Sequence, residues 1–218
     1  MHKSFIMQLI IAACCISTAV FAHDLVPPAW RGYPGTTFQT WTFDDAEYSA
    51  LPEIISNPFG AAIAGINVGQ YGSGWHYQLP GLGTQTGYWD IGGVGGSITI
   101  EIDNVPVQNP YKEIWIQITY YDDITGAPDV FVPGSTLVSS ELGMLVEHIA
   151  TGGDWMLDQY VFRIEPNPSH ETIQILSDPQ WMSVIDQIVV DTYCVAEPAS
   201  ISLLAFGAIT FLFRRYKK

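Results

Sequence analysis

The feature that most constrains this chain is a two-residue alternation of apolar and polar side chains, repeated in one segment after another. Ser97–Asp103 reads SITIEID, with Ile98, Ile100 and Ile102 in one phase and Thr99, Glu101 and Asp103 in the other. The stretch Lys112–Tyr121 repeats the pattern with Ile114, Ile116, Ile118 and Tyr120. Tyr160, Phe162 and Ile164 follow, then Ile173 and Ile175, then Ile188, Val190 and Thr192. Successive side chains of an extended strand point to opposite faces, so each run buries one face and solvates the other, as antiparallel strands do. Asn109-Pro110, Gly126-Ala-Pro128, Pro133-Gly134, Gly152-Gly153, Pro166-Asn-Pro168 and Asp178-Pro179 supply the turns between them. Helical periodicity is confined to Asp45–Ile55, where one short turn or helix is expected. The expected fold is all-β: an antiparallel β-sandwich or jelly roll of roughly eight strands, similar in architecture to carbohydrate-binding modules. An N-terminal signal helix and a C-terminal hydrophobic helix are expected to flank it.

The core of such a body has to hold without covalent help. Cys14 and Cys15 lie in the N-terminal segment, and Cys194 is the sole thiol of residues 23–194, so no disulfide can form within the body. Cys194 reads as a small apolar residue at a strand end, with a thiol-linked dimer as the alternative. Charge narrows the partners. Only Arg31, Lys112 and Arg163 of the eight basic residues fall in the body, which holds nearly all of the 22 acidic ones. Such a field repels phosphate backbones, so nucleic acid is excluded as a partner, and it attracts cations.

Catalytic motifs are absent. His23, His76, His148 and His170 make no His-Glu-x-x-His pattern, and no serine has glycine two residues away on both sides. Gly92–Gly96 lacks the Lys-Ser/Thr of a phosphate loop and reads as a turn into the strand at Ser97. Asp44-Asp45 and Asp122-Asp123 are adjacent pairs, and neighbours on a strand face opposite ways, so neither converges by itself on a glycosidic bond. An enzyme is therefore not the expected reading.

Two binding chemistries remain. Asp44, Asp45 and Glu47 follow the first strand, and Asp186 and Asp191 lie on the last. Sandwiches bring first and last strands together, so these carboxylates are the candidate ligands of one structural Ca²⁺, with a solvated acidic rim as the alternative. Residues 60–96 hold twelve of the 20 glycines, interleaved with Tyr71, Trp75, His76, Tyr77, Tyr88 and Trp89. Sugar rings present C–H bonds to aromatic faces. Trp75, Tyr88 and Trp89 are thus the candidate glycan platform, with structural packing as the alternative; Trp41 and Trp115 are expected in the core or at its rim.

The ends of the chain carry addresses. MHKSFIMQLIIAACCISTAVFA places His2 and Lys3 before an apolar run and small residues at Val20-Phe21-Ala22, a secretory signal with cleavage expected after Ala22. Ile11-Ala-Ala-Cys14 offers a competing lipoprotein box, against which stands the apolar character that continues to Phe21. At the other end, EPASISLLAFGAITFLFRRYKK combines an acidic-Pro pair, an apolar run and a basic cluster. The run Ala199–Phe213 makes a helix of about 22 Å against a hydrocarbon core of about 30 Å, short for a permanent span unless the terminal basic side chains snorkel. The basic cluster stays cytoplasmic and leaves the body outside.

This tail resembles that of PEP-CTERM proteins, an exported bacterial class. The resemblance rests on Val195-Ala196-Glu197-Pro198, the run to Phe213 and Arg214-Arg215, with Ala196 where the family has its first proline. The resemblance implies transient recognition by an exosortase, a membrane-embedded cysteine protease, at the inner membrane, and an association with extracellular polysaccharide and biofilm. The opening Pro27–Phe43 is similar to that of other exported proteins with this tail. Three segments are expected: a signal peptide at 1–22, a β-sandwich at 23–194 and a sorting signal at 195–218. The expected function is a non-enzymatic component of the cell surface or matrix. A carbohydrate-binding module is the alternative, and a secreted hydrolase the third reading.

Overall fold

The structure, a computed structural model, describes residues 24–195 apart from 79, 124 and 151. Its regular elements among these residues are strands: β1 (Thr36–Trp41), β2 (Ser49–Ala50), β3 (Ile54–Ser56), β4 (Ala62–Asn67), β5 (Gly74–His76), β6 (Tyr88–Gly92), β7 (Ser97–Asp103), β8 (Tyr111–Asp122), β9 (Asp129–Phe131), β10 (Ser135–His148), β11 (Asp154–Ile164), β12 (His170–Leu176) and β13 (Ser183–Val195). They form two antiparallel sheets. The larger runs β10-β11-β8-β13-β1-β3, and β6 takes over the free side of β13 where β1 stops, bringing β5 with it. The smaller runs β2-β4-β7-β12-β9.

The alternation in the sequence decides which faces meet. Ile98, Ile100 and Ile102 of β7 and Ile173 and Ile175 of β12 point inward from the smaller sheet, and all are fully buried. Ile114, Ile116 and Ile118 of β8 and Ile188 and Val190 of β13 meet them from the larger sheet, closed off by Trp41. Each such side chain contributes roughly 1.5–3 kcal/mol on burial, so this one layer is the main source of stability in a body without disulfides. Tyr121 is out of phase with Ile118 and points away from that core. It joins Tyr88, Ile149, Trp155 and Val184 in a second cluster on the outer side of the larger sheet, against Leu82 and Val146. The loop after β5 is pinned over this cluster: Trp155 Nε1 donates to the Leu82 carbonyl at 2.7 Å, and Glu147 accepts from Thr84 and Gln85.

Two expectations are corrected. Residues 45–55 hold no helix: Ser49 and Ala50 pair with Gly65 and Ala64, and Ile54 enters β3 against Thr40. Pro52 lacks an N–H and separates the two short strands, while the Ala50 carbonyl is taken by Trp41 Nε1 at 3.2 Å. Trp41 is in the core as expected, but Trp115 lies out of phase with Ile114 and Ile116 and sits half-buried on the outer face. The expected terminal helices, with Ala22 and residues 196–218, lie outside the described residues. Among the described residues no helix is long and apolar enough to cross a membrane.

Candidate functional site

The sequence-predicted glycan platform is not a surface. Tyr88 is 0% and Trp89 1% exposed. They are neighbours on β6, so they face opposite ways: Trp89 enters the main core and Tyr88 the outer cluster. Trp75 pairs with Trp89 across β5–β6, packs on the same core, and donates its Nε1 to the Phe43 carbonyl at 2.7 Å. The glycine-rich setting suggested loops, but all three residues belong to strands, and strand phase buries Tyr88 and Trp89 and half-buries Trp75.

The predicted Ca²⁺ ligands are not brought together either. The first and last long strands do pair, with Phe38 opposite Asp191 and Trp41 opposite Ile188. That register leaves Asp191 about 10 Å back along β1 from the end that carries Asp44, Asp45 and Glu47. All three are exposed, and the two aspartates are occupied locally: Asp44 Oδ1 accepts from Thr42 Oγ1 at 3.2 Å, and Asp45 Oδ1 accepts from the Glu47 amide at 3.0 Å. Asp186 is buried at the irregularity of β13 between Ile185 and Gln187. Among the described residues no group of three His, Cys, Asp or Glu side chains is placed to hold a metal ion.

Asp191 has a different partner. The Arg31 guanidinium grips it through Nε and Nη2, both at 2.6 Å, and reaches Asp24 with its other edge. Gln117 completes the clamp, donating to Asp24 Oδ1 at 2.7 Å and accepting from the Val26 amide at 3.1 Å. Arg31 also lies 4.1 Å over the Phe38 ring, and Trp30 stacks on Tyr193. Residues 24–35 thereby form a strap across the outer face of the larger sheet. Burial lifts the Asp191 carboxyl to about 6 even though Arg31 pulls it down.

A second ion pair was missed in the sequence. Lys112 is in phase with Ile114 and Glu171 with Ile173, so both charges point inward and pair between the two sheets with no side-chain exposure. The signal was available: a charge of each sign, each in the apolar phase of its strand. Burial pushes Glu171 up to about 7 against the pull of Lys112, and its Oε2 has no hydrogen-bond partner. Cys194 lies beside this pair and donates its Sγ to Asn104 Oδ1 at 3.1 Å. Burial raises the thiol pKa, so Cys194 is a protonated, unreactive group at the end of β13, as a packing residue would be.

No nucleophile is poised with a general base among the described residues that carry a serine–histidine contact. Ser73 Oγ lies 2.7 Å from His76 Nε2 and 2.5 Å from Asp90 Oδ2. In a catalytic triad the carboxylate orients the histidine, which then takes the serine proton. Here the carboxylate holds the serine itself, by its hydroxyl and, at 2.9 Å, by its amide, which braces the approach to β5. Asp158 is buried on β11 and satisfied by Tyr120, Tyr160 and the Gly143 amide, the last at 2.7 Å in the bulge of β10. Open hollows mark the described surface. One of about 330 Å³ is lined by Leu137, Arg163 and Glu165 among others, and one of about 450 Å³ by residues of the 105–108 and 166–169 loops. Neither is lined by a pair of carboxylates. Of the exposed aromatic residues, Tyr71 and Trp181 stand on other loops.

Comparison with protein families, with curated proteins and with solved structures finds no match in any of the three.

Proposed function

We propose that this chain is an exported, non-enzymatic β-sandwich of jelly-roll type that serves as a component of the cell surface or extracellular matrix. Its tail is a sorting signal of PEP-CTERM type. The observation that carries this reading is the order at the C-terminus: Glu197-Pro198, a short apolar run, then Arg214-Arg215, all following directly on β13. Val195 pairs with Tyr111 as the last residue of that strand, so the domain hands the chain to the motif with no linker between them. A helix from Ala199 to Phe213 would fall short of the bilayer's hydrocarbon thickness, which suits a segment that is read and cut rather than one that stays. An N-terminal secretory signal ending at Ala22 delivers the body outward, and an exosortase in the inner membrane is the transient partner. The hold of Asp90 on Ser73, and of Tyr120, Tyr160 and the Gly143 amide on Asp158, supports the non-enzymatic part of the reading.

Intact mass of the protein recovered from the cell surface and the medium tests it. A mass lacking the residues beyond Glu197-Pro198 is expected. A mass that still includes Lys218 overturns sorting in favour of a plain membrane anchor.

A further inference from the structure

Three loops meet at the end of the sandwich opposite Val195: residues 68–73 between β4 and β5, residues 93–96 between β6 and β7, and residues 177–182 between β12 and β13. The first two are laced together by backbone bonds from Gly69 N to Ile91 O at 2.9 Å, Gln70 N to Val94 O at 2.9 Å and Gly93 N to Gln70 O at 2.8 Å. The third is fixed by Asp178, whose Oδ1 accepts from the Gln180 amide at 2.6 Å and the Trp181 amide at 3.0 Å. Ser177 ties that loop to the second through its amide, 3.0 Å from Gly96 O. Gly93 sits between the first and third: a Cβ there would lie 3.7 Å from Gln70 O, Pro179 O and Met182 Cγ.

Out of this braced base stand Tyr71, 80% exposed, and Trp181, 58% exposed, with Val94 on the loop between them. Trp181 is the one tryptophan among the described residues that stands exposed. Tyr71 at φ 65° and Met182 at φ 64° hold left-handed backbone without being glycine. Each such residue costs roughly 1–2 kcal/mol and persists only where its surroundings impose it. The chain thus spends strain and a large apolar side chain on presenting rings to water from rigid loops.

We propose that Tyr71 and Trp181 form a stacking platform for a neutral polysaccharide. The aromatic faces take the C–H faces of sugar rings, and the exposed amides of Gln70 and Gln180 beside them can donate to and accept from hydroxyls. The neighbouring Gln70, Ser73, Asp178 and Gln180 are polar, unlike the contiguous apolar centre that a protein hot spot needs. The described residues carry 21 acidic side chains against Arg31, Lys112 and Arg163, so uronate and sulfate polymers are repelled. Position agrees with this occupant. The 13-residue strand β13 carries the chain about 40 Å from this end to Val195, so the platform lies at the end of the body away from Val195. A preorganised platform loses little entropy on binding. This inference goes beyond the sorting reading and holds whether or not the tail is removed.

Affinity electrophoresis of the full chain through gels containing hydroxyethylcellulose, mixed-linkage β-glucan, xylan or galactomannan tests it, with alginate as the anionic comparison. Retardation by at least one neutral polymer is expected, weakened about tenfold by Trp181→Ala and by Tyr71→Asn, which keeps the left-handed backbone tolerable. Tyr33→Ala, an exposed ring near the Val195 end, leaves retardation unchanged, and an unchanged melting temperature shows that each variant is folded. No retardation by any neutral polymer, retardation by alginate alone, or wild-type retardation of Trp181→Ala overturns the proposal.

Discussion

The two ends of the sandwich treat their side chains in opposite ways. At the end where β13 leaves the domain, charges are taken out of water: Lys112 and Glu171 pair between the sheets beside Cys194 and Asn104. At the other end aromatic rings are left in water, on loops braced by glycine turns and by Asp178. Residue type predicts the reverse of both. Strand phase explains the first, because Lys112 and Glu171 each continue an isoleucine ladder and have nowhere else to point. The second lies in loops, where no ladder dictates direction and local backbone bonds hold the rings outward.

The largest effect expected from this contrast is at the ion pair. Lys112→Ala, measured by urea unfolding at pH 8 where Glu171 is ionised, leaves a buried carboxylate alone and costs about 3–5 kcal/mol. Lys112→Met with Glu171→Met removes both charges and recovers most of that loss. A single variant as stable as the parent would show that water reaches the pair.

At the loop end the sensitive positions are backbone ones. Gly92 and Gly95 both have positive φ, 71° and 87°, but a Cβ at Gly92 would lie 2.4 Å from the Gly72 amide, while at Gly95 the nearest atom is 4.0 Å away. Gly95→Ala is expected to cost about 1–2 kcal/mol from backbone strain alone. Gly92→Ala is expected to cost about 3 kcal/mol or more, since the lacing of the loops to β6 must also shift. Equal losses in the two variants would deny that the loops are braced there.

The buried carboxyls sharpen the comparison through pH. Glu171 is lifted from 4.5 to about 7 and Asp191 from 3.8 to about 6, both chiefly by burial. The folded state therefore binds protons more tightly than the unfolded one. The stability these groups contribute is fully present below pH 4, and it declines as pH rises through 6 and 7. Between pH 5 and pH 8 the loss is expected to be on the order of 2 kcal/mol, read as a falling melting temperature, with a flatter profile for Glu171→Gln. The smallest effect belongs to Trp181→Ala, expected within about 0.5 kcal/mol of the parent by urea unfolding, because its side chain is mostly in solvent. A loss of several kcal/mol there would make Trp181 a packing residue after all.

Much of this is legible in the sequence, and the misses have separate causes. The phase of β7, β8, β11, β12 and β13 was readable from their isoleucines, and so was the inward face of each. The same rule applied to Tyr88-Trp89 separates the two rings, since adjacent strand residues cannot share a face; the density of glycine around them suggested a loop instead. It also applies to Lys112 and Glu171, whose charges obscured their phase. The meeting of Asp191 with Arg31 was not readable, because nothing local in residues 24–35 reveals which strand they will cross.

By itself the sequence determined an all-β body, the faces its long strands bury, the absence of disulfide support and an acidic body with only three basic residues. These follow from alternation and counting, which are local or additive properties. Only the tertiary structure decided that β6 completes the free side of β13. It also decided that one arginine consumes two of the available carboxylates, and which aromatic rings are left in solvent at the far end. Those outcomes depend on contacts between segments distant in the chain, where register and crossing, rather than composition, choose the neighbour.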